Sequence, residues 1–281
     1  MKYNLGLIIT LALAEIGYMF TTPTPSRLLV IYIILALIVV LLAILICQMI
    51  YWAFQKWRKP LIFIRGRLAP AQFNDCFTLG EGIYRRLRKP YPAQDQANGW
   101  LENYGCGVFE AYDREEKCWG YLSLWPLDPA AFEGIRAGAI TEAQLAQPMI
   151  AEAKNAPFAH WYVADILKRN KRFHEAVPNP TFSEYLCSLM IYHGLRSLLK
   201  AKQFRFPFAM VGCAVTRPGK DWLERLNFEP VPLAPMFRHA GNIYSRSIDR
   251  KGLKNLLKRM RGEIKSHEAR INNLIRAYDR T

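Results

Sequence analysis

The sequence predicts an α/β (α+β) domain on a mixed central sheet flanked by helices, preceded by two transmembrane helices and followed by a basic helix. Three observations predict this. From Leu28 to Cys47, "LLVIYIILALIVVLLAILIC" runs for twenty residues without a charge or an amide. Between Cys106 and Ile248, short β-type runs alternate with stretches of helical character. From Leu253 to Tyr278, apolar residues recur at spacings of mostly 3 and 4 in a segment otherwise filled by Lys and Arg. The implied divisions are 1–59, 60–248 and 249–281.

The first apolar run continues to Phe54, broken only by Gln48. At about 1.5 Å per residue it is long enough for a hydrocarbon core of roughly 30 Å. Before it, Leu5 to Phe20 is apolar with Glu15 inside, and "TTPTPSR" (Thr21–Arg27) makes a proline-broken turn. This stretch is either a signal peptide or the first arm of a transmembrane hairpin. Lys2 alone forms the charged start and no clear small-x-small site precedes the turn, which favours the uncleaved hairpin. Glu15 would then face the partner helix or an interface. Lys56, Arg58, Lys59, Arg65 and Arg67 crowd the end of the second arm, against Arg27 alone in the turn. The positive-inside rule therefore predicts a multi-pass inner-membrane protein whose C-terminal portion is cytoplasmic. Tyr51, Trp52, Phe54 and Trp57 supply an aromatic belt at that interface.

The net charge is +15, and its excess lies at the membrane side and in the tail. A basic surface beside an anionic leaflet explains it, and no recognition motif supports nucleic-acid binding. Six cysteines without a CxxC pair read as core thiols in a reducing compartment, with no metal site.

Along the soluble part, Ala69–Pro92 reads as a helix ended by prolines. Cys106–Asp113 and Cys118–Asp128 read as strands joined by the charged hairpin "REEK", with Tyr121, Ser123 and Trp125 on one side and Leu122 and Leu124 on the other. A helix follows over roughly Pro129–Ala153. His160–Leu167 is a further strand, and Pro180–Ala201 a long helix on which Thr181 and Glu184 form a capping box. Phe206–Thr216 is a strand, "GKDWLERLNFEPV" a short helix running into a turn and a strand, and "GNIYSRSI" the last strand. In the tail, Leu253, Leu257, Met260, Ile264, His267, Ile271, Leu274 and Tyr278 make a stripe of over three heptads. It suits a coiled coil, and so a homo-oligomer through 253–278. It suits equally a basic amphipathic helix on its own domain or on a membrane.

Four stretches in this order resemble the GNAT superfamily of acyl-CoA-dependent N-acyltransferases. "GVFEAYDREEKCWGYLSLWPLD" is similar to its paired strands, "FAHWYVADILKRN" to its central strand, the helix from Pro180 to the one facing the cofactor's pyrophosphate, and "DWLERLNFEPV" to its closing "LYEKLGF"-type turn. The resemblance covers about residues 64–247. It implies acetyl-CoA or another acyl-CoA as co-substrate and an amine acceptor. It implies that the backbone of Asp165, Ile166 and Leu167 pairs with the pantetheine arm. The family's phosphate loop carries glycines, whereas no glycine lies between Gly138 and Gly194 here. Lys168, Arg169, Lys171 and Arg172 would substitute side-chain charge, or form a solvated basic loop. For the base, His160 occupies the strand position where some members carry Glu, with a hydrogen-bonded surface His as the other reading. Glu110 is a weaker alternative base. The family's acid Tyr is replaced by Leu223, and Asn227 stands for its Gly. Tyr162, Tyr185 and Tyr244 are stand-ins for the acid.

The resemblance thus implies a membrane-anchored N-acyltransferase at the cytoplasmic face. The competing reading is a catalytically degenerate membrane scaffold acting through self-assembly.

Overall fold

In a computed structural model of the chain, the residues described are 25–57, 61–68, 70–151, 157–233 and 242–278. They fall into two units, 1–60 and 61–281. The first unit's helix α1 (Pro25–Trp57) is continuous through the apolar run. The turn expected over Thr21–Arg27 thus gives way to helix by Pro25. Within α1, Tyr32–Met49 has a mean hydropathy of 3.0 and is wholly unburied, and it is the one span of membrane-crossing length and composition among the described residues. The first arm, Leu5–Phe20, lies outside them.

The second unit is built on a seven-stranded sheet in the order β1-β2-β3-β4-β5-β7-β6. Its strands are β1 (Phe63–Gly66), β2 (Val108–Tyr112), β3 (Cys118–Pro126), β4 (Phe158–Lys168), β5 (Phe204–Ala214), β6 (Glu229–Pro230) and β7 (Asn242–Ile248). Every pairing is antiparallel except β4 with β5. The parallel pair needs a crossover, and α5 (Asn179–Lys200) supplies it. The β2–β3 hairpin closes on Asp113, whose carboxylate accepts from Glu115 N, Lys117 N and the Trp119 indole at 2.9, 3.1 and 2.7 Å.

One sheet face is covered by α2 (Pro70–Leu87) and α3 (Gln94–Asn103), with Phe73, Phe77 and Trp100 buried. The other packs on α5, where Gly194 lies against Leu122 and Phe109. Strand β1 and helix α3 were not expected. The segment "QDQANGWLEN" shows little periodicity because Ala97, Gly99 and Trp100 are its buried residues. The helix expected over Pro129–Ala153 is shorter. Asp128 caps α4 (Pro129–Arg136) by accepting from Ala130 N and Ala131 N, and Gly138 at φ 77 ends the path. Two 3-10 turns follow, Glu142–Gln144 and Gln147–Met149.

The capping box does not form on α5. Its N-cap is Pro178 without a side-chain bond, Thr181 is buried, and Glu184 instead meets Arg225 and His267 at 3.8 and 3.7 Å. At the closing turn after α6 (Arg217–Arg225), Asn227 takes the left-handed conformation at φ 60. Asn tolerates this better than most residues, so it can replace glycine there.

The tail forms α7 (Arg250–Tyr278), and its stripe is an intramolecular seam. Leu253, Leu256, Met260 and Ile271 are buried in the domain core, and Ile264 packs beside them. Polar ties fix the docking: Glu263 accepts from Ser188 at 3.2 Å and pairs with Arg225 at 3.1 Å, and Tyr278 donates to Glu175 at 2.6 Å. Burial of these residues in their own domain favours the reading of an amphipathic helix packed on its own domain over a self-pairing coiled coil. Met260 is fully buried, so Met260→Ala should lower unfolding stability by about 2–5 kcal/mol, measured by denaturant titration. An oligomer seam would instead make the loss depend on protein concentration.

Candidate functional site

The site forms where two parallel strands part. β4 and β5 pair from His160↔Ala209 to Val163↔Gly212, and no register partner follows, although β4 runs on to Lys168. Beyond that point β5 turns into α6, whose first turn is held by Thr216 accepting from Gly219 N at 3.0 Å. The resulting cleft is lined by β4 from Val163 to Leu167, by Cys213–Thr216, and by Tyr84, Gly219 and Leu223. One side of β4 from Asp165 to Leu167 remains paired with β3. The backbone groups on the other side face the cleft.

A bulge in β4 sets the chemistry. Asp165 lies opposite Ser123 and Val163 opposite Leu124, so Ala164 is an extra residue. Strict alternation would put Tyr162 and Asp165 on opposite faces. The bulge instead places both with their partners Trp125 and Ser123, on the α2–α3 face. There Asp165 Oδ1 accepts from Tyr84 at 3.3 Å, and Oδ2 accepts from Tyr121 at 3.2 Å and Ser123 at 3.3 Å. Burial pushes its carboxyl from the ordinary 3.8 up to about 6, against the lowering pull of these hydroxyls. Glu142, from the first 3-10 turn, lines the same buried pocket. Its carboxyl is raised by burial and then by the Asp165 charge, with a hydrogen bond from Tyr162 opposing. The buried Asp165 and the half-buried Glu142 repel one another and titrate as a pair.

A chain of hydroxyls leads outward from Asp165. Tyr121 gives its one proton to Asp165, so at the 2.8 Å contact between Tyr91 and Tyr121 it is Tyr91 that donates. Gly80 of α2 sits over this contact, and a Cβ there would meet both phenol oxygens. Gly80→Ala should therefore break the Tyr91–Tyr121 bond and lower stability by about 1–3 kcal/mol. Thermal melts and the tyrosine hydroxyl signals would show both changes.

The glycine-free loop is organised by aromatic rings. Phe173 stacks on Phe182 at 4.4 Å and meets Trp119 edge-on at 5.4 Å. Arg169 donates its Nε to Cys118 O at 2.9 Å and its backbone N to Trp119 O at 2.7 Å, so its guanidinium is turned onto β3. Lys171 and Arg172 are exposed. Lys168 reaches toward α5, where burial raises the Cys187 thiol to about 12 and the ammonium opposes that rise.

The other sequence-derived candidates are dispersed. His160 lies two residues before Tyr162, with its ring 4.8 Å from Phe132, and lines neither the cleft nor the carboxylate pocket. Glu110 is buried on β2, and one of its oxygens accepts Arg65 Nε at 3.0 Å and Nη2 at 2.9 Å. Glu110, Cys76 and Cys118 bring their ligand atoms within 4.8 Å of one another, with the Arg65 guanidinium already on the carboxylate. Tyr162 joins the carboxylate pocket through Glu142. Tyr185 is buried on α5, and Tyr244 donates to Glu224 at 3.4 Å. Leu223 lines the cleft where the resemblance implied a phenol, but Tyr84 lines it from the opposite wall. Glu142, Tyr84, Tyr91 and the Asp165 side chain were not singled out beforehand. The usable signal was the density of tyrosines around buried acids.

No family model matches the chain, and no curated protein does. Among solved structures, it is similar to an N-acyl amino acid synthase from uncultured soil microbes, 10% identical over 70% of this chain and 96% of that one, TM-score 0.46. It is also similar to Ard1 from Thermoplasma volcanium, 8% identical over 67% and 98%, TM-score 0.41. A third is a GNAT-family N-acetyltransferase from Escherichia coli in complex with CoA, 16% identical over 69% and 84%, TM-score 0.36.

Proposed function

We propose that the domain transfers an acyl group, acetyl in the simplest case, from acyl-CoA to an amine, and that α1 anchors it to a membrane with the domain on the cytoplasmic side. The observation that carries the reading is the parting of β4 and β5 beside the buried, phenol-bound Asp165. The unpaired side of Asp165–Leu167 suits the amide-rich pantetheine arm, which would continue the β4 ladder. Lys168, Lys171 and Arg172 supply charge for the phosphates near the start of α5, and the helix dipole adds to it. Arg169 supports the loop from β3.

Asp165 takes a proton from the attacking amine, the nitrogen bonds to the thioester carbon, and collapse of the tetrahedral adduct expels the thiolate. The proton returns through Tyr84, which gives its hydroxyl proton to sulfur as Asp165 hands its own to the phenol oxygen. His160 and Glu110 are given no role. A carboxyl near 6 is ionised at neutral pH and still basic enough to act. Purified full-length protein in detergent, given acetyl-CoA and a panel of amines, should release free thiol in step with N-acetylated product. Thiol release equal in the presence and absence of every amine would refute the transfer.

A further inference from the structure

An open cleft of about 490 Å³ lies between the C-terminal half of α2 and the segment Tyr91–Gln94. It shares Phe77, Tyr91 and Pro92 with the carboxylate pocket, so the two are neighbours across these side chains. Tyr91 is therefore the outermost hydroxyl of the chain that ends on Asp165. Arg85 and Lys89 line the cleft and are exposed; Lys89 N donates to Tyr84 O at 3.1 Å and Arg85 O accepts from Arg88 N at 3.2 Å, and neither side chain makes an ion pair or hydrogen bond among the described residues. Basic residues in the last turn of α2 ordinarily offset the helix dipole, which accounts for Arg85 and Arg86 as residue types. It does not account for Lys89, beyond the helix end, lining a cleft beside Tyr91. Lys89 also acts on Cys213 at the end of β5: burial and the Glu142 carboxylate raise that thiol to about 11, and the ammonium opposes them. Glu81 is the cleft's acidic group, one helical turn further from Lys89 than Arg85 is.

We propose that this cleft admits the acceptor, and that the acceptor is an amine carrying an anionic group held by Arg85 and Lys89. The proposal rests on the acyl-transfer reading. With the anion fixed at the mouth, the amine extends past Tyr91 toward Asp165, and its proton has a hydroxyl path inward. The chemistry required is a carboxylate, sulfonate or phosphate, since Arg and Lys bind all three through charge-assisted bonds.

Full-length protein in detergent tests this with acetyl-CoA and amines paired by charge: glycine with glycinamide, taurine with ethylamine, phosphoethanolamine with ethanolamine. For at least one pair, the anionic member should show kcat/KM about tenfold or more above its neutral partner. Arg85→Gln with Lys89→Gln should erase that preference and leave acetyl-CoA affinity unchanged. Equal rates within every pair, or a preference that survives the double substitution, overturns the proposal. Acetyl-CoA binding without acetylation of any anionic amine also overturns it, while the cofactor reading stands. Absence of acetyl-CoA binding removes the acyl-transfer reading, and the anionic acceptor falls with it.

Discussion

Asp165→Asn should cut acyl transfer by about 10²–10⁴-fold while making the protein more stable at neutral pH. The two effects share one cause. Asn keeps the shape, and its one carbonyl oxygen can still accept at one of the two positions where Tyr84 or Tyr121 and Ser123 now donate, while its NH2 donates at the other and obliges the hydroxyls there to turn; it cannot take a proton. The folded protein holds the Asp165 carboxyl at about 6, against an ordinary 3.8. Its protonated form is therefore favoured by folding. The associated stability is fully present below about 3.8 and is lost as pH rises through about 6. At neutral pH the ionised, buried carboxylate costs about 3 kcal/mol, a burden that Asn does not carry. Wild-type stability should therefore increase as pH falls from 7 toward 5, and the variant's curve should be higher and flatter. The raised Glu142 carboxyl acts in the same direction. Activity should show the opposite trend, rising with pH through about 6 as the base ionises. Equal melting temperatures with full activity would remove Asp165 from the mechanism.

The second large effect concerns the loop. Replacing Lys168, Lys171 and Arg172 together by Ala should weaken acetyl-CoA binding about a hundredfold or more, because a hydrogen bond to a charged group contributes about 1.5–3 kcal/mol. The fold should survive, since the loop is pinned by Phe173 on Phe182 and by Arg169 on Cys118 O. Arg169→Ala should give the reverse pattern. It removes a tie between β4 and β3, so thermal stability falls, with only a modest change in affinity. Titration calorimetry and melting curves on both variants separate the two roles. If the triple variant binds as the wild type does, phosphate is held by backbone amides alone.

Much of the architecture is legible in the sequence because period and punctuation carry it. The strands around "CWGYLSLWPLD" and "HWYVADIL" and the long helix after Pro180 lie within two or three residues of expectation. The site is less legible, for a physical reason. An extra residue at Ala164 reverses the facing of everything after it, and nothing in "YVADI" marks a bulge. Asp165 could therefore be placed as backbone while its side chain went unassigned. Glu142 was hidden by a helix that Gly138 ends early. Tyr84 and Tyr91 lie in a segment whose role depends on long-range contact with β3 and β4. The tail shows the converse limit: a spacing of 3 and 4 specifies a seam, but not whether the opposite wall belongs to the same chain.

The most direct test is calorimetric titration of acetyl-CoA into the full-length protein in detergent, with Asp165→Asn in parallel. The account predicts micromolar binding to both, because the pantetheine and phosphate contacts do not involve that carboxylate. Absence of binding to a folded wild-type protein would contradict it, leaving the parted strands as a fold without its cofactor.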